Sequence, residues 1–352
     1  MIYINGRFLT QNITGVQRFA YELSLRLTII RRDVIILVPK ISLIKKDYDI
    51  SQLKILETNF GDGYYWEQVT LPLFLRKRKN SLLINLCNLG PVAYKNKIIT
   101  QHDISYIRFP SSFTFRFKLL YRILTPLLLL GSKSIITVSD FSRNEISNFY
   151  KFDKEKIHVI PNAVSDIFYN FKKIKITSDK YFLTVSSVSY HKNIHGLINA
   201  ILKSDLDINL KVVGDRSNVF NGLEINTNDT RISFLGRISD QELVELYSGS
   251  IAFIFPSLYE GFGIPPLEAQ SCSCPVISSD RAAMKEVLGD SALFFDPESN
   301  LDIIKNILLV QNDPDVRSDL ISKGKKNVQR FSWKDSAFKL NLIINNLKAS
   351  KG

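Results

Sequence analysis

Apolar positions along this chain follow two periods that take turns. Short, nearly continuous apolar runs occur at Ile2 to Ile4, Val34 to Val38, Ser81 to Leu86, Lys97 to Thr100, Ser134 to Ser139 and Ile157 to Ile160. Each has strand length and no polar face, as expected of strands covered on both sides. Between them the period lengthens. Val16, Phe19, Leu23 and Leu27 fall on one helical face with Arg18, Glu22 and Arg26 away from it, which predicts an amphipathic helix. Further helices are predicted at Phe113 to Leu130, rich in aromatic and basic residues, and at about Phe141 to Tyr150.

The alternation starts again at Tyr181 to Val185 and continues with strands at Ile208 to Val213, Ile232 to Phe234, Ile251 to Phe255, Pro275 to Ser278 and Ala292 to Phe295. Helices are predicted at Leu301 to Val310 and Asp315 to Gln329. A last one opens at Phe331-Ser332-Trp333 and runs its apolar positions through Ala337, Leu340, Ile343 and Leu347. Strand–helix alternation in both halves predicts an α/β protein of two doubly wound, Rossmann-like domains. The expected division is residues 1–165, residues 166–332 and a terminal helix over 333–352. The polar, lysine-rich stretch Asn170 to Lys180 is the best linker. A length of 352 residues accommodates two domains of ordinary size.

The richest chemistry follows the Ile251–Phe255 run, in Pro256-Ser257-Leu258-Tyr259-Glu260-Gly261-Phe262-Gly263-Ile264-Pro265-Pro266-Leu267-Glu268-Ala269. Glycines allow backbone amides to approach a ligand, and the start of a helix favours an anion. Pro265 and Pro266 are placed to open that helix. Glu260 is expected in the loop, and Glu268 in the first helical turn, where a carboxylate is favoured and can accept two hydroxyl hydrogen bonds. Three other places invite attention: the loop Thr14-Gly15-Val16-Gln17-Arg18 after the first strand, Gln101-His102-Asp103 at a strand end, and His191-Lys192-Asn193 before a helix. Alone each is weak, and the full dinucleotide fingerprint is missing.

Two glutamates with seven residues between them, as Glu-Gly-Phe-Gly-x-Pro-x-x-Glu-Ala, resemble the signature of the family-four retaining glycosyltransferases, which have the GT-B fold of two such domains facing a cleft. The resemblance covers nearly the whole chain and is strongest from Tyr181 to Pro297. It implies that Glu260 and His102 orient a donor sugar, that Glu268 holds ribose hydroxyls, and that Lys192 stabilises the diphosphate leaving group with amides near Gly261, Phe262, Gly263 and Ile264. It places Gly15 and Val16 near the donor diphosphate and acceptor. Arg18 is either a phosphate contact or a solvated helix arginine. Arg116, Lys118 and Arg122 either meet a lipid phosphate or form a solvated basic face. Three positions depart from the family: His191 where arginine is usual, and Ala163 and Ser273 where glycine is usual. The motif combination resembles mannosyl and related transferases of bacterial surface-polysaccharide assembly. That implies a nucleotide-diphospho-sugar donor (GDP-mannose first, a UDP-sugar second), a lipid-linked oligosaccharide acceptor, and peripheral contact with the inner membrane.

Composition sharpens this picture. Hydrophobic content is 45% and the formal net charge is +12, which suits a globular protein with anionic partners. Three cysteines, Cys87, Cys272 and Cys274, make no disulfide framework, and a reducing, cytoplasmic setting is expected. The N-terminus is too polar for a signal peptide. Asp205-Leu206-Asp207 matches the Asp-x-Asp pattern of metal-dependent transferases but sits in a polar turn. Neither a metal nor a cofactor is expected beyond the donor substrate. The charge also raises nucleic-acid binding as a rival function. No recognition module supports it, and no nucleic-acid partner is expected. A catalytically dead sugar-binding homologue is a second rival, and the intact glutamates, Lys192 and His102 speak against it.

Overall fold

The computed structural model describes residues 1–78, 80–169, 180–185, 189–214 and 229–349. The expected linker up to residue 179, Ser186 to Val188 and Asp215 lie outside the described residues. The chain divides into two units. One comprises Met1–Ile104, Phe115–Asn162 and Ser332–Gly352; the other comprises Ser105–Thr114 and Ala163–Phe331.

In the first unit, β1 (Ile2–Asn5), β2 (Val34–Val38), β3 (Ile55–Glu57), β4 (Leu82–Asn85), β5 (Lys97–Thr100), β6 (Ser134–Thr137) and β7 (Ile157–Val159) form one sheet. Its order is β3-β2-β1-β4-β5-β6-β7, and every pairing is parallel. Ile4 lies opposite Ile36 on one side and Ile84 on the other. Short βαβ returns force this arrangement, since parallel neighbours need a crossover long enough for a helix. β3 was not anticipated; its three residues are only partly buried at the sheet edge and carry too little apolar pattern to read.

The amphipathic helix Gly15–Ile30 buries Phe19, Leu23 and Leu27 as its spacing requires. Glu22 departs from expectation: it is buried, and it pairs with Arg26 one turn on. The terminal helix Trp333–Ala349 belongs to this unit. Its Trp333 ring stands edge-on to Phe19 at 6.0 Å, and Ser336 Oγ donates to the Pro161 carbonyl at 2.7 Å. Lys348 Nζ donates to Asp33 at 2.8 Å.

The second unit holds β8 (Phe182–Val185), β9 (Leu210–Val213), β10 (Ile232–Gly236), β11 (Ala252–Phe255), β12 (Val276–Ser279) and β13 (Leu293–Phe295). Their order is β10-β9-β8-β11-β12-β13, again all parallel. Phe182, Leu210, Ile254 and Ile277 pack with Leu197, Ile201, Ile303, Ile307 and Val310. Burying each such side chain stabilises by about 1.5–3 kcal/mol.

The residues 105–114 fall inside the range 1–165 assigned to the first domain from sequence, yet they cluster with the second unit. The cause is aromatic: Phe113 stacks on His191, and Phe109 lies 5.9 Å from Tyr259. Such contacts join segments far apart in sequence and leave no local pattern.

Candidate functional site

Each sheet reverses its strand order once, between β1 and β4 in the first unit and between β8 and β11 in the second. Open α/β sheets bind ligands outside the carboxyl ends of the strands at such a reversal, because the helices there leave in opposite directions and open a crevice. The sequence-derived candidates can be placed against those two points.

In the second unit, β8 leads to the short 3-10 turn Tyr190–Lys192, and β11 leads to the loop Pro256–Gly263. Lys192 Nζ donates to Glu260 Oε1 at 2.6 Å, with the two side chains 21% and 12% exposed. An ammonium and a carboxylate are thus brought together from residues 68 apart, at the reversal. Asn193 makes the turn possible. It takes a left-handed φ of 53°, tolerated by asparagine, and its Nδ2 donates to the Pro297 carbonyl at 2.9 Å. His191, in the family's arginine position, is buried; its Nδ1 lies 3.0 Å from Ser112 Oγ between Phe109 and Phe113. It serves the packing of 105–114.

Gly263 is the N-cap of the helix Ile264–Ser271, with φ 87°. A Cβ there would meet Met284 Cε at 2.6 Å, so both backbone conformation and space demand glycine. Because the helix begins at Ile264, Glu268 is its fifth residue, and the first turn holds no acid. This corrects the expected first-turn placement. The dipole acts mainly within that turn, so Glu268 is held by other means: it is buried, with Tyr247 Oη 3.4 Å from Oε2. Burial, with the Glu268 charge second, pushes the Tyr247 phenol well above its ordinary value, so it stays a donor. Pro265 and Pro266 lack N–H groups. The helix start therefore offers the amides of Ile264 and Leu267, and the glycine loop must supply the rest. Phe262 is buried and meets Phe331 edge-on at 5.3 Å; it anchors the loop.

The remaining candidates lie in the first unit. His102 follows β5 and is buried. Its Nε2 lies 3.0 Å from the Leu86 carbonyl, and its amide donates to Asn88 Oδ1 at 2.9 Å. The Leu86 contact assigns the proton to Nε2 and leaves Nδ1 as an acceptor. Burial lowers its pKa, opposed by the Leu86 bond and by Asp103, so the ring is neutral near pH 7. Phe19 stands edge-on to it at 4.9 Å, tying His102 to the helix that begins at Gly15. Gly15 and Val16 are the first two residues of that helix, whose N-cap Thr14 makes no side-chain capping bond. Gly15 is exposed and Val16 half-buried.

Asp205 and Asp207 are exposed in a turn, backed by Arg231, which donates to the carbonyls of Ser204 and Leu206. No cluster of three or more metal-ligating side chains occurs among the described residues. Ser273 has φ 59°, which explains why glycine suits that turn; Ala163 does not take a positive φ. Burial pushes the Cys274 thiol up to about 12, in keeping with a small core residue.

Sequence reading missed Tyr247 and a buried polar group at the first unit's reversal, made by Asn5, Arg7, Glu67 and Asn85. One signal was present. Glu67 shares helical spacing with Leu71 and Leu75, which puts an acid in a buried stripe.

Comparison with known proteins agrees with this geometry. The family model for glycosyl transferases group 1 matches residues 166–327, and that for Glycosyltransferase Family 4 matches residues 13–166. The O-antigen chain mannosyltransferase RfbU of Salmonella typhimurium is 35% identical over 68% of this chain and 66% of its own length. The O-antigen chain mannosyltransferase B of Escherichia coli is 28% identical over 92% of this chain and 93% of its own. Among solved structures, HepE of Anabaena in complex with UDP-glucose superposes with a TM-score of 0.77 at 15% identity, covering 98% of this chain and 99% of that one. Two matched models in sequence, two parallel sheets with ligand-end motifs and the Lys192–Glu260 couple converge: the chain belongs to the family-4 glycosyltransferases of the GT-B fold.

Proposed function

We propose that this glycosyltransferase is a retaining mannosyltransferase that takes mannose from GDP-mannose and adds it to a lipid-linked oligosaccharide in O-antigen, capsule or exopolysaccharide assembly. The observation that carries the reading is the Lys192–Glu260 couple beside the Gly261–Gly263 loop. In the proposed reaction the glycosidic bond to the diphosphate lengthens, and negative charge grows on the leaving oxygen. Lys192 and the loop amides meet that charge with donors already in place, which costs no reorganisation. Glu260, which holds the ammonium before donor arrives, also accepts hydrogen bonds from the sugar hydroxyls. Glu268 accepts from the ribose. His102, neutral with Nδ1 as acceptor, contributes a sugar contact. This arrangement supplies the leaving group with a fixed cation, and no metal is required in the reading.

The two relatives named as O-antigen chain mannosyltransferases support the sugar and the pathway class. A membrane-bound acceptor fits the outward face of the helix Phe115–Leu130. Phe115, Leu119, Ile123, Leu127 and Leu130 are all exposed there, the helix contains no acid, and it carries Arg116, Lys118 and Arg122. An apolar stripe with basic residues suits the interface of an anionic bilayer. No described helix is long and apolar enough to cross a membrane; the contact proposed is a peripheral one.

The test is thermal stabilisation by GDP, UDP or ADP, with Glu268→Ala alongside. Saturating ligand at about 100 times Kd stabilises by ~2.7 kcal/mol. A GDP-specific shift lost in the variant is the expected outcome. A UDP-specific shift replaces the donor with a UDP-sugar, and no shift from any nucleotide removes the donor site. Chelator-resistant transfer is expected; loss restored by magnesium would overturn the metal-free reading.

A further inference from the structure

The second unit places its reactive couple at the reversal of its strand order. The corresponding point of the first unit carries a group that the proposed chemistry leaves unused. β1 ends in Asn5 and β4 in Asn85, both buried. Asn5 Nδ2 donates to Asn85 Oδ1 at 3.0 Å and to Glu67 Oε1 at 2.8 Å. Glu67 arrives from a π-helical turn, Trp66–Thr70. Arg7 Nη1 donates to Glu67 Oε2 at 2.8 Å, and the Glu67 side chain is only 3% exposed. Asn85 Nδ2 also donates to the Ile98 carbonyl at 3.2 Å.

Burial pushes the Glu67 carboxyl up, and Arg7 and Asn5 oppose it. A buried ion pair is a poor source of stability, because desolvation offsets its attraction. Its members here are linked into one network, and such a network is rigid. What it holds in place is Tyr64: the Arg7 guanidinium lies 4.0 Å from the centroid of that ring. Tyr64 is 45% exposed, and Phe60 and Tyr65 are 61% and 52% exposed. The last two rings lie 5.9 Å apart. Three part-exposed aromatic rings thus fall within six residues, and one of them, Tyr64, rests on a fixed polar base at a ligand-binding position of the sheet. A pyranose fits: it offers an apolar C–H face to a ring and hydroxyls to polar groups at the rim.

We propose that Tyr64, close in sequence to Phe60 and Tyr65, is a stacking platform for a hexopyranoside unit of the acceptor. Tyr64 touches the sugar, and Arg7 and Glu67 are positioning residues that hold its ring. Calling the sugar the acceptor rests on the glycosyltransferase reading above; the carbohydrate site itself stands on the first unit alone.

The experiment uses the full chain and methyl α-D-mannopyranoside, which has no alkyl tail to settle on an apolar face. Saturation-transfer NMR reads glycoside binding for the wild type, Tyr64→Ala and Tyr64→Phe, and the GDP-induced melting shift is recorded for each. Tyr64 is 45% exposed and belongs to no buried cluster among the described residues, so Tyr64→Ala is expected to fold, and its melting curve checks this. Binding weakened at least about tenfold in Tyr64→Ala, kept in Tyr64→Phe, with the nucleotide shift equal in all three, is the expected result. No glycoside binding by the wild type, or equal binding by Tyr64→Ala, overturns the platform. Tyr64-dependent glycoside binding without any nucleotide shift upholds the platform and removes the donor reading instead.

Discussion

At the residue scale, Lys192 and Glu260 show how a partly buried ion pair divides stability from chemistry. The couple retains access to water at 21% and 12% side-chain exposure, and such pairs contribute roughly 1 kcal/mol or less. Lys192→Ala should therefore leave the unfolding free energy within about 1 kcal/mol of wild type. Transfer should nonetheless fall by about 10² or more in kcat, the usual loss when a charge-stabilising donor is removed. Steady-state kinetics beside urea unfolding checks both. Equal kcat would remove Lys192 from the reaction. The motif around this pair was legible because glycines, prolines and two acids sit within ten residues. Their pairing with Lys192 was not, since 68 residues separate the two groups.

Among elements, the helix Ile264–Ser271 and its cap form the part least tolerant of change. Gly263→Ala adds a methyl 2.6 Å from Met284 Cε at a φ of 87°. The backbone strain alone costs about 1 kcal/mol or more, and loop displacement should lower transfer by an order of magnitude. Adding Met284→Ala relieves the collision and leaves the strain, so partial recovery is expected; full recovery would show that φ is of no consequence there. The terminal helix gives a second case. Leu340 is completely buried, and Leu340→Ala should cost about 2–5 kcal/mol in urea unfolding. A loss under 1 kcal/mol would mean that this helix contributes little to its unit. Pro265 and Pro266 pointed to the first of these helices, and the period of Ala337, Leu340 and Ile343 to the second. Glu268 changed turn because the helix begins at Ile264, capped by Gly263, rather than at a proline. Caps depend on φ and on neighbours such as Met284, which no periodicity encodes.

Taken as a whole, the molecule should respond to acid through histidines whose pKa is lowered, buried His102 first. Burial lowers the pKa of His102 and of half-buried His195 below the ordinary 6.5. The unfolded chain then binds protons that the folded one refuses, so stability is full above about pH 6.5 and declines as pH falls below it. His102→Asn should reduce that slope, measured as unfolding free energy from pH 7.5 to 5; an unchanged slope would show that His102 is not the neutral, buried group described. The charge of +12 and the outward face of Phe115–Leu130 predict binding to anionic vesicles that salt weakens. Leu119→Glu with Ile123→Glu should reduce co-sedimentation severalfold without moving the nucleotide shift. Equal co-sedimentation would rule that face out.

The amino-acid order alone determined the strand–helix alternation, the two-domain plan, the glutamate motif and the candidates Gly15, His102 and Lys192. Each of these is written in short-range spacing: period 2 against 3.6, glycines beside acids, a histidine closing an apolar run. Tertiary structure decided which of them meet. It joined Lys192 to Glu260, set Tyr247 beside Glu268, moved residues 105–114 into the second unit and assembled Asn5, Arg7, Glu67 and Asn85 from three distant segments. Those contacts arise from strand order, and strand order is set by how the helices cover the sheet, a property of the packed molecule and of no single stretch of chain.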